Sequence, residues 1–424
     1  MALKNNPLDD IVKCNVEIAE PASDDASFDS ILVVVAAPTA TGRLTTSKAF
    51  AVSSADELLE YGYTTNDEAY QAAQVAFSQN PSPDKLYFAV RRSTETVTDY
   101  YAQSASGVSG ALKIVADSAT PSDGEIRLSA VTPVRPVTWT PAVNDYALLR
   151  QETVRSYESV SDTLSRADAE AAFYGIHLSE FRTQTDLEAA IAWAEANEKI
   201  LGFEYTNLAS CPVQNFSYYR TFGVFSGQAD GYDSASQPKV NEFAALAWMA
   251  KCFGYDPGSE TWHLKTLATI VPSALSASDK TALAQDSINS FLRYAGSNVT
   301  VGGKMLAGEW IDVIRFRDWL KNALQVNVFN ALKTNRKVPY TDEGITMVQG
   351  VMEATLASGQ TVGGIATTQY DEEGNEIPGF TVTVPRSADL TDVQRKSRKL
   401  VGCRYTARLA GAIHAVEIDG YLTF

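Results

Sequence analysis

The sequence predicts an α/β (α+β) fold that carries a β-rich insertion and an extended strand arm at each end. Three observations predict it. A β-branched run at 31–36 (ILVVVA) opens an alternation of helical and strand-like segments. A stretch rich in Ser, Thr, Val and Pro at 93–160 interrupts that alternation. Both termini show apolar residues at every second position, the period of a half-buried strand.

The chain has 424 residues, with 45% hydrophobic, 10% aromatic and 20% charged residues, which is an ordinary globular composition with enough chain for several domains. Glycine (26) and proline (16) are too few for collagen-like or proline-rich classes. No apolar run approaches the roughly 20 residues of a membrane helix, and Lys251 interrupts one of the longest candidates, at 243–253. The N-terminus shows no secretory pattern, so a soluble product made in the cytoplasm is expected, without membrane insertion. The net charge of -16 argues against nucleic acid as a partner, since phosphate backbones would be repelled. The four cysteines, Cys14, Cys211, Cys252 and Cys403, are scattered, which fits buried small hydrophobes better than disulfides or a zinc site.

Taken in order, residues 11–18 place Val12, Cys14, Val16 and Ile18 on one face of a strand, and 20–27 (EPASDDAS) form a polar tether. The run at 31–36 reads as a buried central strand. A short helix ends at Tyr61, capped by Ser54. A second helix covers 65–77, and a strand covers 86–90 after the turn NPSP at 80–83. Short alternating runs at 112–115, 125–128 and 134–139 mark the insertion. A strand at 173–178, a helix at 185–196 and a strand at 200–205 resume the α/β rhythm. Helices are expected at 240–253, 278–294, 309–333 and 341–356, the last capped by Thr341 or Asp342. A turn at 371–378 (DEEGNEIP), a strand at 380–384 and a basic helix at 389–399 follow. The end of the chain, 412–424, sets His414, Val416, Ile418, Leu422 and Phe424 on one face of a strand. The expected domains are an N-terminal arm (1–27), an α/β core (28–92 with 161–235), the insertion (93–160), a C-terminal domain (236–411) and a C-terminal arm (412–424).

Catalytic patterns are weak. His177, His263 and His414 are isolated and read as satisfied core or surface histidines, so no metal is expected. The run VTVGGK at 299–304 is similar to a phosphate loop, but Asn298 stands where the first glycine belongs and Met305 where Ser or Thr belongs. Neither a GxSxG elbow nor a GxGxxG after a strand occurs. No catalytic residue and no cofactor is expected. Charge is more informative. Arg386, Arg395, Lys396, Arg398, Lys399, Arg404 and Arg408 face only Asp389 and Asp392 across 386–408. Such a run is either a solvated helix face, its acidic start and basic end suiting the helix dipole, or a surface for an acidic partner. The terminal strands leave a similar choice. They either pair within their own subunit or add to the sheets of neighbouring copies, and a repeated heterologous contact of that kind closes a ring or builds a helical filament.

Residues 303–345 (GKMLAGEWIDVIRFRDWLKNALQVNVFNALKTNRKVPYTDEGI) carry Gly308, Asp312, Asp318-Trp319-Leu320 and the run KVPYTDEGI at 337–345. That pattern resembles the contractile tail sheath proteins of myophages and related injection machines. The ending at 405–423 (YTARLAGAIHAVEIDGYLT) resembles the closing strands of the same family. The resemblance is close at 303–345, looser over 31–92 and 173–424, and absent from the insertion. It implies a sheath-type core with a mixed sheet and flanking helices, a variable insertion that faces outward, and a C-terminal domain that faces an inner tube. It implies a helical homo-polymer of stacked hexameric rings in a virion tail assembled in the bacterial host cytoplasm. The partners implied are the inner tube protein and the baseplate and tail terminator proteins. Strand exchange through Val12, Cys14, Val16, Ile18, Val416, Ile418, Leu422 and Phe424 would link the subunits while contraction drives the tube through an envelope. Arg395, Lys396, Arg398 and Lys399 are the expected tube contacts. The alternatives are another tail or baseplate component with a sheath-like domain, or a two-domain α/β enzyme with an acidic cleft for a cationic or metal-bound substrate.

Overall fold

Ile31–Val35 (β1) is buried at all five positions, as expected of a strand whose two faces are both covered. It lies in a computed structural model that describes residues 28–38, 48–104, 113–115, 125–131, 146–227 and 239–420, with side chains described outside 95–154 and 239–240. The described residues fall into two units. One comprises Asp29–Tyr255 and Glu260–Ile311; the other comprises Asp256–Ser259, Phe28 and the C-terminal part from Asp312 onward.

The first unit is built on strands β1, β2 (Phe50–Val52), β3 (Leu86–Val90), β8 (Gly175–Leu178), β9 (Ile200–Tyr205), β10 (Thr221–Phe225), β11 (Asn289–Tyr294) and β12 (Ser297–Val301). They form one mixed sheet in the order β12-β11-β10-β9-β8-β1-β3-β2. The six inner strands run parallel, and β2 and β12 close the two edges antiparallel. The first unit also holds helices α1 (Glu57–Glu60), α2 (Glu68–Phe77), α3 (Val160–Asp168), α4 (Gln184–Ala196), α5 (Ala244–Cys252) and α6 (Ala277–Gln285). Leu164 of α3 and Leu187, Ala190 and Ile191 of α4 pack with Leu32, Ile176 and Leu201 in one core cluster. On α5 every residue is buried, which suits a helix apolar on all sides. It approaches β8 so closely that a Cβ on Gly175 would lie 2.7 Å from the Phe253 ring just beyond the helix. Lys251, the charge inside that apolar run, donates to the Asn80 carbonyl, and burial pulls its amine below the usual lysine range.

The helix expected at 278–294 is corrected. It stops at Gln285, after a capping box formed by Ser276 and Asp279, and 289–294 is strand β11. Ser287 at φ 55° breaks the helix, and Ala295-Gly296, both at positive φ, turn β11 back into β12. The residues similar to a phosphate loop serve this hairpin. Asn289 Oδ1 accepts the backbone N–H groups of Gly303 (2.7 Å) and Lys304 (2.9 Å), while its amide donates to Gly223 and Lys304 carbonyls. A buried side-chain oxygen thus sits where an anion would sit in a phosphate loop. The sheet domain therefore runs on to Ile311, past the boundary at 235 drawn from the sequence.

The insertion is a four-stranded sheet, β5-β6-β4-β7, made of β4 (Ser93–Ser104), β5 (Lys113–Val115), β6 (Glu125–Val131) and β7 (Tyr146–Tyr157). The run expected at 134–139 lies outside the described residues, as do Val12, Cys14, Val16, Ile18, Leu422 and Phe424.

The second unit contains α8 (Asp342–Thr361) and all but the first residue of the long helix α7 (Ile311–Thr334). It also holds the small hairpin β13 (Gln369–Tyr370) and β14 (Glu376–Ile377), and the antiparallel pair β15 (Phe380–Thr383) and β16 (Arg404–Ala407). Phe316, Leu320, Leu356 and Ile365 form its core, with Phe380, Val382 and Ala407 packed against them. The basic helix is shorter than expected, α9 (Asp392–Ser397) alone, because Leu390 is extended and Arg398 takes a left-handed conformation. The strand expected from 412 onward is also corrected: residues 412–420 form no strand or helix. A strand needs an edge to pair with, and period-2 patterning alone does not supply one.

Candidate assembly surface

The C-terminal unit carries three features that point to partners. The first is the pair β15–β16. Among the described residues these two strands pair only with each other, which leaves an outer edge along β15 and along residues 404–407, while the chain just beyond β16 bridges to 364–366. A two-stranded sheet with open edges accepts further strands readily. The second is the C-terminal segment. At its start the Ala410 N–H donates to the Gly364 carbonyl at 3.1 Å. Beyond it Ile413, Val416 and Ile418 are 84%, 72% and 86% exposed, a series of apolar side chains left in water.

The third is the basic segment, held by a small network. Asp342 Oδ1 accepts the Ser387 N–H at 2.6 Å, and Tyr340 donates its O–H to the Lys399 carbonyl at 2.9 Å. The Ser387 N–H, reinforced by the Ser387 hydroxyl and by Arg386 and Arg395 nearby, holds the Asp342 carboxyl below the usual carboxylate range. Arg395 turns inward and donates to the Ser387 and Leu390 carbonyls. Lys396, Arg398 and Lys399 are exposed. The four residues expected to act alike thus divide: one braces the segment, and three present their charge to solvent. Next to them lies an apolar groove of about 480 Å³, lined by Val328 and Leu332 of α7, by Ile345, Val348 and Met352 of α8, and by Arg398 and Lys399.

In the other unit one cluster has the outline of a hydrolytic triad. His177 Nδ1 lies 3.1 Å from Ser179 Oγ and its Nε2 lies 2.8 Å from Glu204 Oε1. All three are buried, and Glu204 Oε2 also accepts the Ala245 N–H at the start of α5. The cleft that Glu204 lines with Arg182 and Leu187 holds about 20 Å³, too little for a substrate, and the network ties β8, β9 and α5 together. His263 Nδ1 accepts the Gly302 N–H at 3.2 Å, and His414 stands on the C-terminal segment. Among the described residues no group of histidines, cysteines and carboxylates could hold a metal ion, and no helix is long and apolar enough to cross a membrane.

The fold and the family comparisons agree. Residues 311–421 match the family model of the E217 tail sheath protein gp31-like C-terminal domain. The chain is similar in structure to the contracted helical sheath of the anti-feeding prophage. The TM-score is 0.59 at 12% identity, over 97% of this chain and 99% of that one. A chain of the same prophage's six-fold symmetrised baseplate gives a TM-score of 0.57 at 12% identity, with the same coverage of 97% and 99%. The contracted sheath complex of PVC, an extracellular contractile injection system, gives 0.55 at 10% identity over 97% of each chain. No curated protein matches the chain in sequence. The C-terminal part of the chain thus matches a tail sheath family model, and the chain as a whole shares the mixed α/β fold of those sheath structures. This is the family that residues 303–345 and 405–423 resemble.

Proposed function

We propose that the chain is a subunit of a contractile sheath, which polymerises as stacked rings around an inner tube and shortens to drive that tube through a target envelope. The terminal segments of each copy engage neighbouring copies as added strands. The observation that carries this reading is the C-terminal segment, whose Ile413, Val416 and Ile418 lie exposed in the same unit as the open-edged pair β15–β16. Backbone hydrogen bonds between copies would keep subunits linked while they rotate between two packings, and the extended packing would be the one from which contraction starts. The exposed Lys396, Arg398 and Lys399 supply a surface for an acidic tube, with contacts weak enough in salt to release as the tube slides.

Deleting residues 412–424 tests the central part. The truncated chain should fold with an unchanged melting temperature and form no tubes in negative-stain micrographs. Tubes of normal length from that variant would overturn the role of the segment. A second reading, a baseplate component with a sheath-like fold, is favoured by the similarity to the chain in the anti-feeding prophage baseplate. It predicts single rings that never extend into tubes, in the full-length chain as well.

A further inference from the structure

The apolar groove beside the basic segment has no role in the reading above. Its volume of about 480 Å³ falls within the roughly 300–1,000 Å³ of clefts that hold small molecules. Val328, Leu332, Val338, Ile345, Val348 and Met352 give it an aliphatic lining, and Leu332 is 51% exposed. Apolar surface left in water is unfavourable in proportion to its area, so an alkyl chain would gain by entering it.

The charges beside that lining set the other end of the ligand. Arg398 and Lys399 also line the groove, and among the described residues no carboxylate does. In a chain of net charge -16, a cleft lined by cations and by no acid favours an anion. Both cations stand on a pinned backbone. Arg398 takes the left-handed conformation that ends α9, at φ 53°, and Tyr340, which also lines the groove, donates its O–H to the Lys399 carbonyl at 2.9 Å. A site whose backbone is already in place loses less entropy when a ligand arrives. An aliphatic cleft beside a cationic pair matches a molecule that is apolar along its length and anionic at one end. We propose that this groove is a binding site for a free alkyl carboxylate, the fatty-acid class, whose chain lies against α7 and α8 and whose carboxylate pairs with Arg398 and Lys399. The site is complete within one subunit, so it stands apart from the exchange of terminal segments.

Calorimetric titration of decanoate, below its micellar concentration, into the full-length chain tests the site. Decanoate should bind with a stoichiometry of one per subunit. Octanoate, shorter by two methylenes, should bind about fifteenfold more weakly, since each buried methylene is worth about fourfold. Decanol, with the same chain and no charge, should bind about tenfold more weakly than decanoate. Lys399→Glu alters an exposed side chain and should weaken decanoate by about tenfold while leaving decanol unchanged, and Lys399→Arg should keep the parent affinity. Cys403 lines the groove and reports its occupancy. Bound decanoate should slow alkylation of Cys403 by iodoacetamide, read by peptide mapping, and phosphatidylglycerol vesicles should not. Absence of decanoate binding, or equal affinity for decanoate and decanol, would overturn the proposal. Protection of Cys403 by the vesicles alone would overturn it in favour of a membrane contact. A Cys403 already shielded in ligand-free polymer, and left unshielded by decanoate in the dispersed subunit, would overturn it in favour of a neighbouring copy.

Discussion

Two strand-like sequences in this chain meet opposite ends. Ile31–Val35 is apolar on both faces, pairs with β3 on one side and β8 on the other, and is completely buried. Residues 412–420 are apolar at alternate positions, pair with nothing that makes a strand, and expose Val416 and Ile418 to water. A continuous β-branched run is satisfied only in the middle of its own sheet, whereas an alternating run needs one apolar surface and one edge, which another molecule can provide. The contrast teaches that strand propensity says how a segment pairs, and the number of its apolar faces says how much of the pairing must be internal.

The sharpest way to break this comparison is to truncate one residue in each segment. Leu32→Ala removes a fully buried side chain between covered faces and should cost about 2–5 kcal/mol in denaturant unfolding. Ile418→Ala should change the stability of the dispersed subunit by less than about 0.5 kcal/mol, since its side chain already faces water. Comparable losses from both substitutions would mean that the C-terminal segment packs within its own subunit.

A middle effect is expected at Asn289, where one side chain satisfies the turn after β12. Asn289→Ala leaves the N–H groups of Gly303 and Lys304 and the Gly223 carbonyl without their partner, and should cost about 2–3 kcal/mol. Unfolding that is unchanged by this substitution would detach the β11–β12 hairpin from the stability of the sheet domain.

The smallest effect concerns acid. Burial alone would raise the Glu158 carboxyl, but the Arg92 N–H, the Arg166 guanidinium at 2.6 Å and the Thr163 hydroxyl together hold it below the usual carboxylate range. A carboxyl lowered in the folded state stabilises the fold above its unfolded pKa, and that contribution is lost as pH falls through the folded value. Glu158→Gln should therefore cost about 1 kcal/mol near neutral pH and flatten the loss of stability on acidification below about pH 4. A variant that keeps the parent's acid limb would remove Glu158 from that account.

Much of the sheet domain was legible because its inner strands are short apolar runs bounded by helix caps. The strands 86–90 and 200–205 and the helix at 184–196 stand within a residue of expectation. The edge strands were not legible. Phe50–Val52 and Ser297–Val301 are short or polar, and their pairing depends on β3 and β11 rather than on their own composition. The stretch 278–294 misled because its apolar spacing fits a helix until Ser287, and only the Ala-Gly turn at 295–296 signals a hairpin. In the C-terminal unit the basic run was visible, but the inward turn of Arg395 was not, since it depends on carbonyls of the preceding turn. The groove was invisible because its lining comes from two helices and a third segment distant in sequence.

Amide hydrogen exchange over residues 412–420, followed in dispersed subunits and in assembled polymer of the same chain, tests the central claim most directly. The account predicts exchange at the rate of an unstructured peptide in the dispersed subunit, and protection by several orders of magnitude once neighbouring copies are present. Polymer in which these amides exchange as fast as in the free subunit would contradict it.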